Sequence, residues 1–407
     1  MNKWIWFTAG LLLGTDWLRR AIQATVGMRR LVNVTSPEWD RLPRSGEQPT
    51  VVVVVPARNE GDKIEQCLRS LLAQDYRNLE ICAIDDRSSD ATGTIMNQLR
   101  KQFPDKLRVI HVSDLPAGWL GKTHAMWRGA ADNASDWILF TDGDVVFRAD
   151  ALRRTLSYAE ATATDHLVIF PTLLMQGFGE RMMLCFFGLA SSLLLRLWKV
   201  KDPGARDYIG AGAFNLIRRR AYEALGMYRA LRMEVIDDLK LGQEVKKQGF
   251  RQDCVVGSGL VCLRWAEGAL GVVHNLRKNL FSLLRFNWSL AAAATMAATI
   301  YHLGPWAGLI FAPGFAKLGF VAAVFSIVLL YVRMGRQFGV SGWFFLSHPL
   351  AAVMFAYTLL NSAISSLVHG GVVWRGTTYP LEEIQAFASA KRSQDLSAVA
   401  LTNRRDE

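Results

Sequence analysis

Three clusters of polar residues each follow a short apolar run: Pro56-Ala57-Arg58-Asn59-Glu60, Asp85-Asp86-Arg87-Ser88-Ser89-Asp90 and Thr141-Asp142-Gly143-Asp144. Carboxylates at 142 and 144, one glycine apart, can offer oxygens to a hard divalent ion, Mg2+ or Mn2+, which in turn bridges a diphosphate. Lys122, in Gly118-Trp119-Leu120-Gly121-Lys122-Thr123-His124, supplies a further point charge for phosphate, or is simply a solvated lysine at a helix start. Neither GxxxxGK[ST] nor a GxGxxG opening a helix after the first strand occurs, so a metal-bridged diphosphate fits better than a phosphate loop. Each acidic cluster taken alone is also explained as a helix cap.

The elements between the clusters bring them to one edge. Val51–Val55 reads as a buried strand ending at Pro56, 79–84 as a second, 108–112 as a third and 137–141 as a fourth. Between them, 60–73 is amphipathic with Ile64, Leu68, Leu71 and Leu72 on one face, and 91–102 and 122–131 read as helices. Strands alternating with helices signal a parallel α/β sheet, whose ligands sit at the carboxyl ends of the strands.

In order and spacing, PARNE, DDRSSD, GWLGKTHA, FTDGDV and the later VIDDLKLG resemble family 2 glycosyltransferases over about residues 50–285. The nearest likeness is to the membrane-bound group with ceramide glucosyltransferase and the hopanoid-associated and carotenoid-pathway enzymes. The resemblance implies a GT-A-like, Rossmann-type α/β nucleotide-sugar domain. By it, Pro56, Arg58 and Glu60 line the nucleotide pocket, Asp86 accepts a hydrogen bond from the base, Asp142 meets sugar or ribose, and Asp144 is the metal ligand. The acidic pair Asp237-Asp238 then carries the catalytic base, assigned to Asp238, with Asp237 raising its proton affinity; complementing a helix dipole is the alternative role. Gly210-Ala211-Gly212 resembles the small-residue segment beneath donor sugar and acceptor, or is an ordinary turn. His124 is either a donor contact or structural.

The implied reaction is inverting: a carboxylate takes the acceptor hydroxyl proton as that oxygen attacks the anomeric carbon of a nucleoside-diphosphate sugar, expected to be a UDP-sugar. Processive members carry QxxRW after the catalytic Asp, whereas this chain has His274-Asn275-Leu276-Arg277-Lys278. Arg264-Trp265 sits too close to Asp238 to replace it. One sugar moved to a membrane lipid is favoured over the alternative, a processive polysaccharide synthase, and Arg277 remains a diphosphate contact.

The apolar residues set the setting. The chain is 51% hydrophobic, and 286–316 and 337–374 carry no formal charge, each exceeding the ~20 residues a spanning helix needs. Pro313-Gly314 is the favoured turn between two spans over Gly304-Pro305, and 343–369 forms another span whose single crossing would put Arg375 outside, unless it is re-entrant. At the N-terminus, Trp4–Leu18 followed by Arg19, Arg20, Arg29 and Arg30 reads as an anchor with the catalytic part cytoplasmic; Asp16 makes it imperfect, so an interfacial helix is the alternative. The uncharged stretch 182–195 reads as a surface helix beside a lipid acceptor, or as a core helix.

These readings divide the chain into an anchor (1–35), the GT-A-like domain (48–265), an interfacial helix (266–286), a transmembrane region of about three spans (287–375) and a polar tail (376–407) expected to be disordered. The expected place is the inner, cytoplasmic membrane. A net charge of +11 suits an anionic membrane surface and a diphosphate donor, while no nucleic-acid motif appears. Five unpaired cysteines suggest a reducing compartment. A transporter, or a non-enzymatic membrane protein, is the competing class, but a transporter needs polar residues within its spans. Sugar, acceptor (hopanoid, polyprenyl, carotenoid or glycolipid) and oligomeric state stay open.

Overall fold

The computed structural model describes residues 3–43 and 48–403. After the N-terminal helix α1 (Lys3–Met28), the chain builds β1 (Val51–Ala57), α2 (Ile64–Leu72), β2 (Leu79–Asp86), α3 (Thr92–Gln102), β3 (Leu107–Val112), α4 (Gly121–Ala130), β4 (Trp137–Phe140), β5 (Val145–Phe147) and α5 (Ala151–Ala161). There follow β6 (His166–Phe170), β7 (Thr172–Leu173), α6 (Phe178–Leu194), β8 (Asn215–Arg218), α7 (Arg219–Ala224), α8 (Asp237–Lys247), β9 (Gln252–Val256) and β10 (Val261–Leu263). The remainder is α9 (Gly268–Leu283), α10 (Trp288–Phe311), α11 (Lys317–Phe338), α12 (His348–Val368), the hairpin β11 (Gly371–Trp374) and β12 (Thr377–Pro380), and α13 (Leu381–Asn403).

Five consecutive valines make β1 buried on both faces, as a central strand of a covered sheet requires. The main sheet runs β3-β2-β1-β4-β8-β6-β9. Alternate residues of β1 feed two cores: Val51, Val53 and Val55 pack with α2 residues Ile64, Leu68 and Leu71, and Val52 and Val54 with α4 residues Ala125 and Met126. The sheet is mixed, not wholly parallel: β8 runs antiparallel to β4 and β6. The excursion through α6 returns the chain at the carboxyl edge, so β8 must run back across the sheet. Its first residue, Asn215, pairs with Phe140 at the end of β4, which delivers Gly210–Ala213 to the edge where the acidic clusters stand.

Beside this domain lie α1, α6 and α9–α12. Three helical segments are long and apolar enough to cross a membrane: Phe178–Lys199, Gly314–Gly335 and Gly342–Val368. α1 and α11 run side by side in the same direction, since an added side-chain carbon at Gly10 would meet the Ala316 carbonyl and one at Gly14 the Gly319 backbone. Only glycine permits that approach. Asp16, the charge that interrupts the first apolar run, is held by Arg19 and Arg20 at 2.5 and 2.7 Å and accepts from the Tyr301 hydroxyl at 3.0 Å. α10 continues through Gly304-Pro305 and ends at Phe311, so the turn falls at 312–316.

One face of α6 is buried against α9 and α12 through Met182, Met183 and Phe186, while Phe178 and Leu194 at its ends are exposed. α12 leads straight into the hairpin, whose Arg375 reaches the carboxyl edge of the main sheet. Arg375 therefore lies against the α/β domain and not at the far end of α10–α12. The polar tail corrects the expectation of disorder. Residues 381–403 are helical, docked by Ile384 in a cluster with Leu120 and Met233 and by Lys391 on Glu244 at 3.2 Å; residues 404–407 of that tail lie outside the described residues.

Candidate active site

The loops that follow β1 and β2 hold one another. Asn59 and Arg87 both take left-handed backbone conformations, φ 54° and 58°, so each chain turns sharply at its strand end. The Asn59 side chain accepts from the Ser89 amide at 2.8 Å, and Asp90 accepts from the Gly61 amide at 2.9 Å. Asp86, at the end of β2, is gripped by Arg87 through two bonds of 2.8 and 3.1 Å. An added side-chain carbon on Gly121, which opens α4, would collide with that Asp86 carboxylate.

The floor of the site is a buried charge network. Lys122, in the first turn of α4, lies 2.7 Å from Asp142 and 3.7 Å from Asp237. Burial would strip its proton, but Asp142, Asp237 and Asp238 hold the ammonium charged. Burial likewise pushes Asp142 upward, and the Lys122 charge overrides it, keeping that carboxylate ionised. Asp237 is almost fully buried, accepts from the Tyr228 hydroxyl at 3.2 Å and is pushed up to about 6 by burial, against Lys122 and with the charge of Asp238. Asp238 is also raised, chiefly by burial, yet as a residue it is only partly covered, so of the pair it is the one a second substrate can reach.

Gly212 joins the two halves. Its carbonyl accepts from the Asp142 amide at 2.9 Å and its amide donates to Asp238 Oδ2 at 2.8 Å. A side-chain carbon at Gly212 would strike the Asp142 carboxylate, and one at Gly210 would strike the Asp238 carbonyl. Both glycines are thus required by close packing of this segment on the first turn of α8.

Asp144 stands in a different field. Burial and the carboxylates of Asp142 and Glu60 push it up to about 6, opposed by Lys63 at 3.5 Å. Among the described residues no three His, Cys, Asp or Glu side chains converge as a ready-made metal cage. The oxygen set fits a different kind of site: one or two carboxylates short of positive charge, of the sort that holds Mg2+ together with substrate phosphates and water.

Further residues close the pocket, and the sequence reading assigned none of them to it. Arg375 pairs with Glu60 and donates to the Arg58 carbonyl at 3.2 Å, while Arg58 donates to Thr377 at 2.9 Å. The Gly121 amide donates to the Tyr379 hydroxyl at 3.0 Å. Lys278 on α9 sits 4.2 Å above the Trp374 ring and is pulled down to about 8 by burial and by the Lys122 charge. Arg375 and Gly376 form a two-residue turn with φ 49° and 75°, between Val372-Val373-Trp374 and Thr377-Thr378-Tyr379. That is a legible hairpin signal hidden by the adjacent apolar block.

The remaining sequence candidates divide. Pro56 lies within β1 at the pocket edge, paired in register with Ile84. His124 is buried between Trp119 and Trp127, with Nδ1 unpartnered. The Arg277 carbonyl accepts from Ser362, but its guanidinium makes no recorded bond among the described residues, and it is the neighbouring Lys278 whose charge reaches Asp142.

Residues 52–226 match the profile of Glycosyl transferase family 2. Across 82% of this chain and 89% of its own, the 4,4'-diaponeurosporenoate glycosyltransferase of Staphylococcus aureus is 22% identical. Among solved structures, the mannosyltransferase PcManGT from Pyrobaculum calidifontis, in complex with GDP-Man and Mn2+, superimposes with a TM-score of 0.53 at 16% identity, over 89% of this chain and 99% of that one. The fold is GT-A-like, three helical segments are long and apolar enough to cross a membrane, and residues 52–226 carry a domain that matches the family 2 glycosyltransferases.

Proposed function

We propose that the protein moves one sugar from a nucleoside-diphosphate sugar, a UDP-sugar in the first instance, to a hydroxyl of a membrane lipid, with inversion, at the cytoplasmic face of the inner membrane. The observation that carries this reading is the arrangement around Asp142: three cations, Lys122, Lys278 and Arg375, bear on that carboxylate, and Gly212 separates it by one peptide from Asp238. A diphosphate entering there would meet Lys122, Lys278 and Arg375, and Asp238, tied to the Asp142 loop through Gly212, would lie near the sugar it carries.

In this mechanism Asp86 and Arg58 orient the nucleotide, and Lys122, Lys278 and Arg375 offset the charge that develops on the leaving diphosphate. Asp238 accepts the acceptor hydroxyl proton as its oxygen attacks the anomeric carbon. The Tyr228 bond to Asp237 fixes the start of α8, and burial keeps the pair's proton affinity high enough for a base. A divalent cation at Asp144, when bound, would add positive charge at the same diphosphate.

Supporting a lipid acceptor are the apolar surfaces of α1, α10, α11 and α12, the absence of QxxRW and the relative named for a carotenoid acid. Arginines 19, 20, 29 and 30, at the domain end of α1, support the cytoplasmic side. No feature favours a transporter: the charge inside α1, Asp16, is already neutralised by its own neighbours.

The carboxylate assignment is tested by separating binding from chemistry. Asp238→Asn should leave donor affinity within about threefold while turnover falls by about 10² to 10⁴. Parallel loss of both, measured by donor titration and single-turnover rate, would make Asp238 structural. Because Asp237 is raised to about 6, kcat/KM should rise with pH through about 6 and level off above it, as the pair loses its proton. The same raised affinity means that ionising the pair costs folding stability as pH rises from about 4 to 6.

Chelation should remove activity, Mg2+ or Mn2+ should restore it, and Asp144→Asn should not be restored at saturating metal; full activity in chelator would remove the cation from the reaction. Arg375→Ala should weaken donor binding by about 10- to 100-fold, the worth of a hydrogen bond to a charged group, with Arg375→Lys intermediate. Unchanged donor affinity would reduce the hairpin to a structural cap.

A further inference from the structure

A second basic cavity lies away from the donor pocket, between the C-terminal half of α1 and the end of α6. It has a volume of about 270 Å³ and is lined by Arg19, Arg20, Gln23, Ser192, Arg196 and Trp198. Each arginine is anchored on one edge. Arg19 and Arg20 share Asp16, Arg20 also donates to the Leu193 carbonyl at 2.9 Å, and Arg196 makes two bonds of 2.8 Å to Asp207. Arg19 Nε and Nη1 and Arg196 Nη1 make no recorded bond among the described residues, and both side chains are about half exposed, 55% and 46%. Three guanidinium charges against two carboxylates leave one net positive charge, held on pre-oriented forks that match phosphate oxygens.

The surroundings of the cavity are those of a membrane boundary. Leu18, Ile22 and Val26 on α1 and Leu194 on α6 are exposed beside it. The Trp198 ring packs so closely on α1 that a side-chain carbon at Gly27 would overlap it, so a buried indole fixes the wall of the cavity against α1.

We infer that this cavity seats the phosphodiester of an anionic glycerophospholipid, with its acyl chains along the exposed aliphatic side chains of α1 and α6. One phosphodiester charge balances the single net positive charge. A zwitterionic headgroup would bring a second cation among the arginines, and a free phosphate ester would leave the aliphatic rim unused. The inference rests on membrane association and is independent of the donor pocket.

The test uses the full chain in mild detergent, with equimolar phosphatidylglycerol and phosphatidylcholine, and counts retained lipid by native mass spectrometry. Phosphatidylglycerol should be retained about tenfold over phosphatidylcholine, the ratio that ~1.4 kcal/mol produces, and glycerol 3-phosphate at the same concentration should not displace it. The preference should fall to within about twofold in R19Q/R196Q. In R19K/R196K, which keeps the charge without the forked geometry and guards against a misfolded glutamine variant, it should drop at least threefold. Equal retention of the two lipids, an unchanged preference in the lysine variant, or displacement by glycerol 3-phosphate would each overturn the assignment.

Discussion

The backbone of Gly212, through its amide and its carbonyl, is the joint on which the site depends. Its carbonyl holds the loop that carries Asp142 and its amide holds the Asp238 carboxylate, so the two acidic segments are tied through the backbone of a single residue. The small residue is imposed from both directions, because the Asp142 carboxylate and Lys122 leave no room for a side chain there. The direction of β8 follows from the same need: only a strand starting at the carboxyl edge presents residues 210–213 to the ends of β1 and β4.

Around that joint, repulsion between acids is managed by cations from remote parts of the chain. Asp142, Asp237 and Asp238 crowd Lys122, and the result is one ionised carboxylate and a pair with raised proton affinity. Lys278 comes from the helix before the apolar hairpin α10–α11, and Arg375 from the β-turn after α12. The charge balance of the acidic cluster is thus completed by segments that flank the long apolar helices, which gives a physical reason for domain and helices to share one chain.

Much of the site was legible because it is local. PARNE, DDRSSD and TDGD stand at the ends of strands whose valine, isoleucine and aromatic runs identify themselves, and the α2 stripe of Ile64, Leu68 and Leu71 announces its buried face. What escaped was set by contacts distant in sequence. The reversal of β8 depends on where the α6 excursion returns. Adjacent residues on a helix point in different directions, and the docking of α9 is what brings the Lys278 charge to bear on Asp142 beside the expected contact Arg277. The Arg375-Gly376 turn was submerged in an apolar block read as a span, and the tail became a helix through Ile384 and Lys391, which find partners only once the domain is formed.

Membranes containing the protein, incubated with a panel of labelled nucleotide sugars and then extracted for lipid, test the central claim most directly. The account predicts label from one donor class in a lipid heavier by a single hexose-class unit, and none when Asp238 is asparagine. A ladder of repeats, or label confined to water-soluble product, would contradict it.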